Sequence, residues 1–466
     1  PYQPLAGMYS TYMYPNNGKT LKARVAGLSK LIKLVYASMF NQEPRSILEN
    51  TTQRLEEEKM AVVIQKLAGQ LHGDHFYPNF SGVAQSINYY PVSYMQREEG
   101  VAYVALGLGR TIVEGEKALR FSPKYPAILP QFYSIKATLA ASQNSFYALK
   151  MQNTREYSNY SESRDLAQLR LQQAEKDGTL KAVASVICEN DSVIRDSLNY
   201  EGTRIVSFAP ILKWKAFPLA DIINDILEMG ELAMGGPVEL EFAVNLNNSS
   251  GYRPQFNLLQ IRPMPHTGVQ SGLNVSNVTK KNTIVRSHVT LGDGSINYIK
   301  NIMVVKKDTF NSANTVEIAA EIEDLNKIHG NGKPYILIGP GRWGTADPSL
   351  GIPIRWDQIS NAKVIVEVGI DNFNIDPSFG SHFFQIVTGL KIAYFTINPK
   401  NKADSIDWDW LSKVKPVTET THINWLELPY PLHVHIEGIS GEGIIMKPTA
   451  PVTIIEPMDE QESSGI

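Results

Sequence analysis

Between Pro237 and Pro263 the chain alternates apolar and polar residues twice, with a turn-rich insert between the two passes. The first pass reads Val238-Glu239-Leu240-Glu241-Phe242 and the second Leu258-Leu259-Gln260-Ile261-Arg262. Side chains two apart on a strand share a face, so each pass predicts a strand with one polar face. The insert, Asn-Leu-Asn-Asn-Ser-Ser-Gly-Tyr-Arg, is turn chemistry and predicts antiparallel pairing. Two carboxylates would then share a face, with an amide and a guanidinium on the adjoining strand. Paired carboxylates repel unless a cation joins them, and hard oxygen donors suit Mg²⁺ carrying phosphates. Arg262 offers a fork matched to phosphate oxygens. The same pattern also describes an edge hairpin with a solvated polar face.

At 466 residues the chain exceeds one ordinary core, and two or three domains are expected. Hydrophobic and charged contents of 43% and 20% place it with globular chains rather than disordered ones. A net charge of −3 provides no general attraction to nucleic acid or to an anionic membrane. The single cysteine, Cys188, ends an apolar run and reads as a buried strand residue. One cysteine excludes an intrachain disulfide framework and fits a reducing cytoplasm. No apolar run is long enough to span a bilayer, and no signal peptide is evident. The chain starts at Pro1, and the expectation is a piece of a larger protein.

Taken in order, Leu5-Ala6-Gly7-Met8-Tyr9-Ser10-Thr11 places glycine before small hydroxyl residues, either an ordinary turn or a cradle of backbone N–H groups for an anion. Helical spacing over 18–49 predicts a core-facing helix. Met60 to Leu67 is continuously apolar up to Gln65 and predicts a buried central strand. His72 and His75 flank Gly73-Asp74, which favours a solvated turn over a metal site. Ser81 to Ser86 predicts another strand. Val101 to Glu116 reads as strand, glycine turn at Gly107 and Gly109, then a helix start. A surface loop leads into a helix near 164–177, followed by strands over 181–188 and 204–208. An amphipathic helix over 217–234 stops at Gly235-Gly236 and runs directly into the Glu-x-Glu strand.

Five of these segments, in this order, resemble the N-terminal nucleotide-binding domain of the phosphoenolpyruvate synthase and pyruvate phosphate dikinase family. They are the Ala-Gly-x-x-x-Thr loop, the 60–67 segment, Ser-Gly-Val at 81–83, the Gly-Leu-Gly turn, and Glu-x-Glu with Gln-x-Arg-Pro. The likeness covers roughly residues 1–265. It implies an α+β chain, an incomplete ATP-grasp domain over 1–265 followed by a second mixed α+β domain. It further implies Glu239 and Glu241 as Mg²⁺ ligands, with Gln260 and Arg262 facing the ATP phosphates as the catalytic pair. Gly7, Met8 and Thr11 would close over the phosphates, Gln65 and Leu67 would meet the adenine, and Gly109 and Arg110 would also line the nucleotide. Arg110 departs from the family, which usually carries Glu there; Glu114 is a candidate stand-in. The family's Arg-Ser-Ser segment and an earlier lysine are not in the chain.

The activity implied is ATP-dependent phosphoryl transfer to a histidine on a swivelling domain, and then to pyruvate. That domain's Thr-x-His-Ala pattern is absent from this sequence, and His266 lacks it. The expected partner is therefore a phosphohistidine domain elsewhere in a longer protein, with this piece inactive alone. A non-catalytic nucleotide sensor, or an interaction module in the second domain, are the competing readings.

Residues 266–282 read as a linker and 283–456 as the accessory domain, with strands near 283–288, 301–305, 335–338, 364–368, 392–397 and 433–436 and a helix over 316–329. Gly339-Pro-Gly-Arg-Trp-Gly-Thr345 fits neither standard nucleotide fingerprint and reads first as a structural turn. Ser381 to Gln385 and His433 to His435 read as strands with no convincing site. Residues 457–466 read as a disordered tail.

Overall fold

The computed structural model describes residues 9–41, 44, 60–88, 95–151, 161–188, 193–246, 253–264, 280–292, 294–330, 332–345, 347–370, 383, 387, 390, 392–437 and 441–448. The chain is mixed α/β, rich in strands and sparing in helices. Gly7, Met8, His266, His382, linker residues 266–279 and the tail lie outside the described residues.

In the N-terminal half, the elements that matter for the site are α1 (Leu21–Ser38), β1 (Phe80–Gln85), β2 (Val101–Leu106), α2 (Arg110–Val113), β3 (Leu119–Phe121), α3 (Leu219–Met234), β4 (Val238–Asn245) and β5 (Gln255–Pro263). Five of them form one antiparallel sheet in the order β5-β4-β1-β2-β3. Val238, Leu240, Phe242 and Val244 all point to one face, where they are buried with Leu219, Ile223 and Leu227 of α3. Period-2 alternation in β4 against period-3.6 spacing in α3 is the sequence basis of that layer. Gly82 is required there: a Cβ at that position would sit 2.1 Å from the Phe242 ring. Pro218 precedes α3, and Gly235, left-handed at φ 70°, ends it, as the Gly-Gly stop predicts.

The C-terminal half is built on β6 (Asn301–Val305), α4 (Thr315–His329), β7 (Tyr335–Pro340), β8 (Ala362–Val368), β9 (Ala393–Ile397) and β10 (Ile423–Glu427). They belong to a seven-stranded sheet in which β9-β8-β7-β6 are parallel and antiparallel strands lie at both edges. Helix α4 makes the crossover from β6 to β7 that a parallel pair needs. The residues of β6, β7 and β9 are buried throughout, which explains their largely apolar composition. A separate five-stranded antiparallel sheet, including Thr283–Ser287 and His433–Glu437, packs on the other face through Val285, Val434 and Ile445.

The two halves share buried side chains. Val83, Val101, Tyr103, Ala105 and Ile112 belong to one continuous apolar cluster with Met303, Leu337, Trp343, Ile365 and Trp425.

Five expectations are corrected. Residues 60–69 form no strand, and Val63 and Ile64 are 85% and 60% exposed. The neighbouring edge strand β5 is irregular at Leu259, and the segment meets it by a side chain, Gln65 Nε2 donating to the Leu259 carbonyl at 3.0 Å. An apolar run becomes a strand only if a backbone ladder is available to it. Residues 166–170 are a strand paired with Ser145–Lys150, and only Leu171–Lys176 is helical, because cross-strand pairing overrides local helix preference. Helix α1 forms, capped by the Thr20 hydroxyl, but only Gly27 and Ser38 on it are buried, so its apolar residues are not core. Phe383 is helical rather than extended, and Cys188 is only partly buried at the end of its strand.

Candidate nucleotide-binding face

The register of β4 decides which side chains meet. Glu239 pairs with Arg262 and Glu241 with Gln260 across β5, while Gln85 and Val83 of β1 lie opposite Glu239 and Glu241 on the other side. Directly opposed residues share a face, so Glu239, Glu241, Gln260, Arg262 and Gln85 all lie on the side of the sheet away from α3. The register shift between Glu241 and Phe242 leaves Leu259 unopposed, and Gln260 and Arg262 remain in step with the two glutamates.

The guanidinium of Arg262 lies between the carboxylates. Its Nε donates to Glu239 Oε1 at 3.0 Å, its Nη2 contacts the same oxygen, and Nη2 lies 3.6 Å from Glu241 Oε1. Gln85 Nε2 donates to the second oxygen of Glu239 at 2.6 Å. Glu239 is buried, whereas Gln260 is exposed at the sheet edge. Burial pushes the Glu241 carboxyl above its ordinary range; Arg262 opposes that shift and repulsion from Glu239 adds to it. Two carboxylates thus face one guanidinium, and the excess negative charge suits a hard divalent cation. Gln85 was not singled out from sequence; its only signal is a polar residue at the end of an otherwise small and apolar strand.

The glycine turn lies over the same face. Ser81, two residues from Val83 along β1, donates from its hydroxyl to the Gly107 carbonyl at 2.8 Å, and a Cβ on Gly109 would stand 3.6 Å from that of Ser81. Two residues of strand separate Ser81 from the level of Glu241, about 7 Å. Gly107 adopts φ 82°, and any Cβ there would be 2.7 Å from the Tyr147 carbonyl oxygen. Arg110 is held by Glu114 in an i,i+4 ion pair at 2.8 Å and lies 5.9 Å from the centre of the Tyr147 ring. The adjacent Glu116 accepts a 2.6 Å hydrogen bond from the Tyr147 hydroxyl, and burial raises its carboxyl.

The Gly-Pro-Gly-Arg-Trp-Gly-Thr segment contacts Gly115, just beyond α2. Arg342 Nη1 and Thr345 Oγ1 donate to the Gly115 carbonyl at 3.4 and 3.0 Å. Gly339 and Pro340 end β7, Arg342 and Trp343 form a short strand paired with Gly351–Ile352, and the segment bridges the two halves of the chain. Of the other expected residues, Thr11 is exposed, while Tyr9 packs against the cluster that includes Val83 and Tyr103. Gln65 and Leu67 lie beside β5 and the α3 layer rather than in a strand. Gly7 and Met8 are outside the described residues.

An acidic pair with an arginine and a glycine turn on one sheet face is the kind of site that takes a nucleotide through its phosphates. Residues 1–283 match the family described as pyruvate phosphate dikinase, AMP/ATP-binding domain, and the chain belongs to that family. Its role is therefore that of a dikinase-family nucleotide-binding unit, with ATP as the ligand class. Comparison with curated proteins finds no match. Among the described residues, no helix is long and apolar enough to cross a membrane.

Proposed function

We propose that the chain is the ATP-binding part of a dikinase-type phosphotransferase, with an ATP-grasp unit over residues 1–265 and an accessory unit over 283–456. The observation that carries this reading is the register of β4 and β5, which brings two carboxylates and one guanidinium to a single face. When bound there, Mg²⁺ would neutralise charge on the phosphates and on the group being transferred. Glu239 and Glu241 are the residues to hold it. Arg262, released from the carboxylates, would turn its fork to phosphate oxygens, and Gln260 would donate from the sheet edge. Gln85 would keep Glu239 in place throughout. The backbone of Gly107 to Gly109, tied to Ser81, would lie along the same face. The acceptor, by family resemblance, is a histidine on a separate phosphohistidine domain, with pyruvate as the candidate final acceptor. A single cysteine supports a reducing, cytoplasmic setting.

The test is calorimetric titration of ATP with and without Mg²⁺ on wild type, Glu241→Gln and Arg262→Lys. Metal-dependent affinity in wild type, reduced about tenfold or more in each variant, is expected, because one change weakens a hard ligand and the other loses the bidentate fork. Equal, metal-independent affinities in all three proteins would refute the assignment.

A second reading, a nucleotide sensor without transfer, is favoured by the contacts at Gly115. Arg342 and Thr345 hold the segment that follows α2, so occupancy of the glycine turn could be passed to the C-terminal half. Nucleotide binding accompanied by no labelling of any histidine partner would favour it.

A further inference from the structure

We propose that Glu317, Glu321 and His422 form a binding site for a divalent first-row transition-metal ion in the C-terminal half, separate from the nucleotide face. Glu317 and Glu321 are one turn apart on α4, so their side chains share a face of the helix. His422 lies in the turn before β10, which packs against that helix. The turn is pinned to the helix by one carboxylate oxygen: Glu321 Oε2 accepts from the Thr420 hydroxyl at 2.6 Å and from the His422 backbone N–H at 3.0 Å. The other oxygen of Glu321 remains available to a ligand.

His422 is the observation that points to an ion. It is 5% exposed, and its Nδ1 is buried without a hydrogen-bond partner. Nε2 lies 3.7 Å from Glu317 Oε2, too far for a hydrogen bond and close to the spacing of two ligands on one metal. One donor atom from each of the three residues lies within 4.8 Å of the others. The ion would sit on Nε2, the ring nitrogen that faces the carboxylates, because neutral imidazole binds metal through an unprotonated nitrogen.

The donor set also narrows the ion. One imidazole nitrogen with two carboxylate oxygens suits Zn²⁺, Mn²⁺ or Fe²⁺ better than Ca²⁺ or Mg²⁺, which favour oxygen alone. Lys306, bound to the same turn, is engaged elsewhere: its Nζ donates to Glu419 Oε1 and to the Thr420 carbonyl, both at 2.7 Å. Glu317 is largely exposed, so it can swing onto an ion arriving from solvent, and the solvent side leaves coordination positions for water. Bound metal would then clip α4 to the hairpin formed by Thr418–Glu419 and β10.

The experiment is calorimetric titration of the chelator-stripped chain with Zn²⁺ alone, at neutral pH and without nucleotide. Wild type is expected to bind one equivalent at this site, with a weakening of at least about tenfold in Glu317→Gln and in His422→Gln. Glu317→Gln changes an exposed side chain and keeps the fold; circular dichroism verifies the fold of His422→Gln. Glu241→Gln, on the nucleotide face, is expected to retain the site. Affinity should also fall as pH drops, because protons compete with the metal for the ligand atoms. Absence of stoichiometric Zn²⁺ binding in wild type, or binding unchanged in Glu317→Gln, would overturn the proposal. Loss of the same equivalent in Glu241→Gln would overturn it too, and would assign the ion to the nucleotide face.

Discussion

Arg262→Ala tests whether the acidic face depends on its guanidinium. In the ligand-free chain Arg262 is the cation placed between Glu239 and Glu241, and its side chain is only 14% exposed. Removing one partner of a buried ion pair costs about 3–5 kcal/mol, because the remaining charge is left without compensation. Here Gln85 still donates to Glu239, and Glu241 keeps some solvent contact, so the lower end, about 3 kcal/mol, is expected. Urea unfolding of wild type and variant, followed by far-ultraviolet circular dichroism in chelator-treated buffer, measures the loss. Added Mg²⁺ should recover more stability in the variant than in wild type, because the ion then replaces the missing charge between the same carboxylates. A loss under about 1 kcal/mol, the size of an exposed ion pair, would refute this reasoning. So would an equal Mg²⁺ response in the two proteins.

Two further outcomes follow from the same face. The Glu241 carboxyl is raised above its ordinary value of 4.5, so the folded state holds its proton more tightly than the unfolded state. That contribution to stability is full below the ordinary value and is lost as pH rises through the folded value. Glu241→Gln should therefore flatten the decline of stability with rising pH in metal-free buffer, with Glu116, also raised, supplying the remainder; a decline as steep as in wild type would contradict the raised carboxyl. Gly107→Ala should cost about 1–3 kcal/mol, since alanine must take φ 82° with its Cβ against the Tyr147 carbonyl; thermal melting that shows no loss would mean the turn can relax.

Much of the fold was legible locally. Alternation in Val238 to Phe242 and in Gln260 to Arg262 is enough to specify strands, and the turn-rich insert is enough to pair them, so the glutamates and Arg262 were assigned to one face correctly. Helices α3 and α4 were equally readable, since their apolar spacing and glycine stops are local signals. What periodicity cannot state is which distant residue stands opposite. Gln85 reaches Glu239 across 154 residues, and Arg342 reaches Gly115 across 227, so only the folded chain discloses those partners. The 60–67 segment shows the converse: its apolar run satisfies a strand pattern, yet no ladder forms for it. Residues 166–170 became a strand because Ser145–Lys150 lay alongside to pair with them. A side-chain period reports the face a residue occupies, whereas hydrogen-bond partners and charge neighbours depend on how separate elements are brought together, and that information belongs to the tertiary structure.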